Sequence, residues 1–316
     1  MLIPIALLLI GLVILVVGAD IMVRGSASMA KRWGLSGIVI GLTVVAFGTS
    51  APELFVSVLS AMQGTTELAV ANIIGSNLAN ILLILGIGAT IKTLKVKKGT
   101  TFKEIPFALL GILLVIVMGN DAIIDGHTTN ALTRSDGIAF LGFFVIFLYY
   151  TYGMGKVSGE ESQIDTYSWG ASILMFLLGI AGLVVGGKII VDNAILLASL
   201  AGMSEALIGL TIIAIGTSLP ELATTVVAVR KGHTDLAIGN AIGSNIFNVF
   251  WILGLTSTIT PLEFNTNSNI DVLFTTAATF ILFLVMFVGK KHKLTRVEGI
   301  AFISLYVGYI IFAIIR

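Results

Sequence analysis

Two glutamates stand where a glutamate is costly. Glu53 closes the run Gly48-Thr49-Ser50-Ala51-Pro52-Glu53 and Glu221 closes Gly216-Thr217-Ser218-Leu219-Pro220-Glu221, both inside strongly apolar sequence. A carboxylate at the centre of a membrane helix costs roughly 2.5–3.5 kcal/mol on insertion scales, so such residues mark ion or proton pathways. Each has two hydroxyls and a proline beside it. Proline cannot donate to the carbonyl four residues back, and its ring clashes with that carbonyl. The helix should therefore break there, releasing the carbonyls from about Ala46 to Gly48 and from Ala214 to Gly216. In a membrane such groups persist only where protein, water or an ion satisfies them.

The two runs are offset by 168 residues, and the same offset aligns a second pair without insertion: Gly75-Ser76-Asn77-Leu78-Ala79-Asn80 with Gly243-Ser244-Asn245-Ile246-Phe247-Asn248. Asn72, Ser76 and Asn80 fall on one helical face, as do Asn240, Ser244 and Asn248. Asn77 and Asn245 point about 100° off that face, towards a seam between helices. These groups all offer oxygen, which suits hard cations. Ca²⁺ accepts 6–8 oxygens in flexible geometry, whereas Mg²⁺ demands near-octahedral coordination. Glu53 and Glu221 supply up to four oxygens and neutralise one Ca²⁺, with Thr49, Thr217 or nearby carbonyls completing the shell. The remaining hydroxyls, amides and carbonyls suit Na⁺. Competition for shared glutamates would couple the two ions in opposite directions, and acid should compete with both.

The elements that must position these residues are membrane spans. The chain is 57% hydrophobic and 11% charged, with mean hydropathy +1.06, far from the roughly 25% charge of soluble domains. Cysteine is absent and histidine occurs three times, which leaves thiolate sites and histidine-rich metal centres little to build on. Apolar runs at 2–23, 36–62, 68–91, 104–119, 136–152, 168–190, 205–230, 235–260, 271–289 and 297–315 predict ten spans. Fifteen of the 18 Lys and Arg residues fall in the odd-numbered connections. By the positive-inside rule those connections are cytoplasmic and both termini lie outside the cell membrane.

Five spans per half is an odd number, so two like halves must enter the bilayer from opposite sides. That is the inverted-repeat plan, with binding near the midplane on interrupted helices. The reading is an all-α integral membrane fold with helices 2 and 7 broken. The first repeat is 1–155, with its motifs in 36–91; a polar connector spans 156–166; the second repeat is 167–316, with its motifs in 204–260. Asp20 and Arg24 are offset from Lys188 and Asp192 with signs reversed, reading as ion pairs near helix ends.

The paired G-T-S-x-P-E and G-S-N-x-x-N motifs resemble the α-repeats of the Ca²⁺/cation antiporter superfamily, and particularly its prokaryotic sodium/calcium exchangers. The resemblance covers nearly the whole chain. It implies one calcium and three sodium sites: Ca²⁺ bridged by Glu53 and Glu221 with Thr49 and Thr217, and Na⁺ held by Ser50, Ser76, Ser218, Ser244 and the carbonyls of Ala46 and Ala214, with Asn80 and Asn248 at the middle. Potassium-dependent members carry Asp at the position of Asn248, and proton-coupled ones a G-N-x-x-E pattern. Both departures favour sodium. The expected activity is secondary antiport of Na⁺ against Ca²⁺, with no enzyme chemistry, cofactor, nucleotide, nucleic acid or protein partner. H⁺/Ca²⁺ exchange, K⁺-dependent exchange and a cation channel are the alternatives. A channel filter is usually assembled from identical subunits, and a metalloprotease-like site would need an HExxH pair that is missing.

Overall fold

The computed structural model describes residues 2–124, 126, 128–154, 166–200 and 214–315. The connector expected at 156–166 lies almost wholly outside the described residues, as does the start of the seventh expected span. The helices are α1 (Leu2–Trp33), α2 (Gly37–Thr49), α3 (Ala51–Met62), α4 (Thr66–Ile91), α5 (Thr100–Met118) and the short α6 (Asp121–Ile124). They continue as α7 (Arg134–Met154), α8 (Trp169–Leu200), α9 (Ala214–Thr217), α10 (Leu219–Arg230), α11 (Thr234–Ile259), α12 (Thr266–Val285) and α13 (Arg296–Ile315). Among the described residues eight single helices are long and apolar enough to cross a bilayer, and α2 with α3 makes a ninth, bent by 46°. This is a multi-pass, helical membrane protein.

Two departures from the expected elements have plain causes. First, α1 and α8 run to 32 residues each, about 48 Å at 1.5 Å per residue, so they exceed a ~30 Å hydrocarbon core. They pack along one another on a glycine seam. A Cβ on Gly18 would lie 2.8 Å from the Leu183 nitrogen, and one on Gly186 2.6 Å from the Leu15 nitrogen. The seam continues to Gly25, against Ser172, which carries α1 past its expected end. Arg24 therefore pairs with Asp20 at 2.7 Å in mid-helix, not at a helix end.

Second, the fold is not purely helical. Among the described residues four two-residue strands form two antiparallel pairs: β1 (Leu94–Lys95) with β4 (Lys293–Leu294), and β2 (Ala131–Leu132) with β3 (Leu262–Glu263). Each pair joins a connection of the first half to one of the second. Close behind them, Gly299 meets the Gly86 carbonyl, and Gly137 meets the Gly254 carbonyl. β1 and β3 keep the 168-residue offset, while β2 and β4 lead into a further internal repeat: Thr133-Arg134-Ser135-Asp136-Gly137-Ile138-Ala139-Phe140 answers to Thr295-Arg296-Val297-Glu298-Gly299-Ile300-Ala301-Phe302. Its acid folds back onto the threonine, Asp136 accepting from Thr133 and Glu298 from Thr295. The spacing of this repeat is shorter than that linking Glu53 to Glu221, so a single fixed offset passes over it.

Helices α4 and α11 form the centre. Of the apolar windows, that in α11 is 94% buried and that in α4 72%, against 22–39% for the other single helices. Both central helices widen into π-helical turns at matching places, Ala79–Ile84 and Phe247–Leu253. Such turns leave the regular hydrogen-bond ladder locally and often mark functional sites.

Candidate functional site

The proline argument fixes where the interrupted helices turn. Ser50 takes φ −83°, ψ 9° between α2 and α3, and Ser218 takes φ −87°, ψ 4° between α9 and α10. Pro52 and Pro220 then sit in the first turn of α3 and α10, where the missing N–H is not needed. Glu53 and Glu221 share those first turns, at the positive end of each helix dipole. The released stretch is shorter than expected. The Ala46 carbonyl still accepts the Ser50 N–H at 3.0 Å and lies 3.4 Å from the Thr49 hydroxyl, because the break falls at Ser50 rather than three residues earlier. Ala214 opens α9.

Both glutamates are fully buried. Ser76 donates to Glu53 Oε1 at 3.1 Å; Ser50 at 2.9 Å and Ser244 at 3.4 Å donate to Glu221 Oε1. Ser218 donates to Ser76 at 3.0 Å. Thus Ser50 reaches the acid of the opposite half, and Ser218 reaches the serine that serves Glu53. Thr49 donates to Asn240 Oδ1 at 3.0 Å and Thr217 to Asn72 Oδ1 at 3.2 Å, again across the halves. Thr49 is fully buried while Thr217 is only partly so. Asn80 and Asn248, on the widened turns, are fully buried and donate to Asn245 and Asn77 at 2.9 Å each. Asn248 also lies 3.3 Å from Ser76. The predicted side chains thereby fall into two hydrogen-bonded networks, one around Glu221 with Ser50, Thr49, Asn240 and Ser244, the other around Glu53 with Ser76, Ser218, Asn72, Thr217, Asn80 and Asn248, which together make one assembly built from α2, α3, α4, α9, α10 and α11.

Four oxygens in this assembly have no hydrogen-bond partner in the protein: Glu53 Oε2, Glu221 Oε2, Asn80 Oδ1 and Asn248 Oδ1. An unsatisfied buried acceptor costs about 1–3 kcal/mol, more when charged. Here the orphans come in two symmetric pairs. All four are hard oxygen acceptors, two of them formally charged, which is the donor chemistry of a Ca²⁺ or Na⁺ site.

Two residues of this assembly escaped the sequence reading. Ser57 and Thr225 are fully buried and accept the Asn72 and Asn240 amides at 3.1 Å each. Those amides also donate to the Glu53 and Glu221 backbone carbonyls, at 3.4 and 3.3 Å. Asn72 and Asn240 therefore brace each glutamate's backbone while holding the opposite half's threonine. The signal was present: hydroxyls at 57 and 225 obey the same 168-residue offset, one turn beyond each glutamate.

The family model described as "Sodium/calcium exchanger protein" matches residues 3–153 and 171–315. The inner membrane protein YrbG of Escherichia coli is 39% identical over 83% of this chain and 82% of its own. The sodium/calcium exchanger MaX1 of Methanosarcina acetivorans is 31% identical over 96% and 97%. Among solved structures, the sodium-calcium exchanger NCX_Mj superposes with a TM-score of 0.84 at 31% identity, covering 98% of both chains. Two halves matched in turn by one family model, and a fold shared end to end with a relative above 30% identity, place this chain in the sodium/calcium exchanger family of cation/Ca²⁺ antiporters.

Proposed function

We propose that this protein exchanges Na⁺ for Ca²⁺ across the cell membrane by alternating access, with Glu53 and Glu221 shared between the ions. The observation that carries the reading is the set of four buried, partnerless oxygens on Glu53, Glu221, Asn80 and Asn248. Calcium draws on both carboxylates together with Thr49 and Thr217. Sodium draws on Ser50, Ser76, Ser218, Ser244, Asn80, Asn248 and the carbonyls of Ala46 and Ala214. Ligands from both halves stand in each other's hydrogen-bond shells, so a shift of one half relative to the other changes the whole site at once.

Sodium rather than proton coupling is supported by the amides at 80 and 248. They add no titratable group, so the two glutamates bring the only formal charge to the assembly. One Ca²⁺ leaves it neutral; three Na⁺, the family loading, leave it at +1. Exchange is then electrogenic, driven at about 2.3 kcal/mol per charge per 100 mV, and needs no transported K⁺.

The reading includes ten crossings with both termini outside. The strand pairs support the count. β1 and β4 lie on one face and β2 and β3 on one face, so an even number of crossings separates each pair. Six spans lie between β1 and β4, and four between β2 and β3, only if the segment ending in α10 crosses too.

The deciding experiment is radioactive calcium uptake into proteoliposomes under an imposed Na⁺ gradient, a pH gradient, a valinomycin-set potential, or none. Uptake driven by Na⁺ and modulated by potential is the expected result. Uptake driven by the pH gradient alone would replace sodium with protons, and passive uptake without counter-ion would make the protein a channel.

A further inference from the structure

A carboxamide presents two branches of similar shape and opposite polarity, an acceptor oxygen and a donor NH₂. At a cation site the difference decides everything: the oxygen attracts the ion and the NH₂ repels it. Asn80 and Asn248 thus need something to settle which branch faces the site.

The neighbouring asparagines settle it. Asn245 Nδ2 donates to the Asn77 backbone carbonyl at 3.2 Å, and Asn77 Nδ2 to the Asn245 carbonyl at 3.4 Å. A backbone carbonyl can only accept, so both of these amides have a single workable orientation. Their Oδ1 atoms must then face Asn80 and Asn248, and they accept those residues' Nδ2 groups at 2.9 Å each. With its NH₂ so committed, each central amide turns its oxygen the other way. Those oxygens are the two buried, partnerless amide acceptors of the assembly. Asn77 and Asn245 are themselves buried, and both polar branches of each are occupied.

We propose that Asn77 and Asn245 are positioning residues: a reciprocal clasp of four asparagines, anchored on two backbone carbonyls, locks the amides of Asn80 and Asn248 with oxygen towards the ions. Each anchor acts across the repeats, Asn77 on Asn248 and Asn245 on Asn80. The proposal rests on the exchanger reading above and adds what makes neutral amides dependable cation ligands.

The test is Asn245→Leu, which keeps the branched shape and removes both the acceptor and the anchoring donor. Ion binding to the purified full chain is read as the Na⁺ and Ca²⁺ concentrations giving half-maximal thermal stabilisation, alongside exchange in vesicles. Loss of a group that orients a ligand typically costs 10–100-fold in metal affinity, so half-saturating Na⁺ should rise about tenfold or more. Asn80→Asp in the same background should restore it to within about threefold of Asn80→Asp alone, because a carboxylate offers oxygen on both branches and needs no orienting. Asn77→Leu with Asn248→Asp repeats the experiment from the other half and replaces the first pair if Asn245→Leu does not fold. Two results overturn the clasp: half-saturating concentrations within about twofold of wild type in the Leu variants, or a loss that the Asp substitutions leave uncorrected, as simple packing damage would. If wild type is stabilised by neither ion, the exchanger reading itself has failed. If it binds and exchanges both ions while the Leu variants behave like it, only the clasp has.

Discussion

Around Glu53 the Asn72 amide bonds the glutamate's carbonyl and Ser57 at 3.4 and 3.1 Å; around Glu221 Asn240 bonds the corresponding groups at 3.3 and 3.1 Å. The threonine bridges and the central asparagine bonds match as closely. On α1 and α8 the correspondence fails. Asp20 holds Arg24 at 2.7 Å and Lys231, at the end of α10, at 2.5 Å, whereas among the described residues Lys188 pairs with Asp192 on its own helix, at 3.1 Å and well exposed. The offset puts Gln63 where Lys231 stands in the other half. On the proposed exchange, a site presented in turn to both sides of a membrane is best served by matched halves, and the match holds at the ion-facing groups while it lapses in the α1–α8 pairs.

The sharpest break in the matched centre is removal of either charge. Glu53→Gln and Glu221→Gln should each abolish calcium exchange while leaving a folded protein, since an amide keeps the shape but cannot neutralise a divalent ion taken out of water. Near-normal calcium flux in either variant would dismiss the shared-ligand assignment. Next come the braces: Asn72→Leu and Asn240→Leu should weaken cation binding by comparable factors, on the order of 10–100-fold. A large effect from one and none from the other would show the symmetry to be cosmetic.

The unmatched region should give smaller, unequal effects. Exposed ion pairs contribute roughly 0.2–1 kcal/mol. Asp20→Asn, which loses two partners, should lower thermal stability by up to about 1 kcal/mol, and Asp192→Asn by no more than a few tenths. Equal effects would remove the asymmetry. The smallest effect concerns His233, between α10 and α11. Burial, then the Lys231 charge, hold its imidazole below the usual histidine range. The unfolded chain then binds the proton more readily, so stability present above about pH 6.5 is lost as pH falls towards the depressed value. Thermal melts from pH 7.5 to about 5 should steepen for wild type relative to His233→Gln; parallel curves would take His233 out of the account.

Motif chemistry was legible because charge, proline and hydroxyls in apolar sequence have few other uses, and because the offset is constant from Gly41 to Gly86 and from Gly209 to Gly254. Side-chain direction was not. Asn77 and Asn245 were read as seam residues, which they are, but sequence spacing cannot show that the seam's acceptors are backbone carbonyls of the facing helix. The extent of the Ala46 release was also beyond it. Proline marks the lost donor, while whether Ser50 still closes a bond to Ala46 depends on the residue at which the chain leaves helical geometry, here Ser50 itself. The motif from Thr133 and its copy from Thr295 were hidden by the longer chain between β1 and β2.

The strand pairs also constrain how this protein is made. β1 emerges early, yet its partner β4 and the Gly299 that seats against Gly86 lie in the last stretch of the chain. At about 5–20 residues per second, synthesis takes roughly 10–40 s to cover that interval. Through that time the first half is in the bilayer with its edge unclosed, and Asn72 lacks the threonine that arrives at 217. Neither half can finish its own fold, so a nascent chain cut before Lys293 yields two incomplete halves rather than one working repeat.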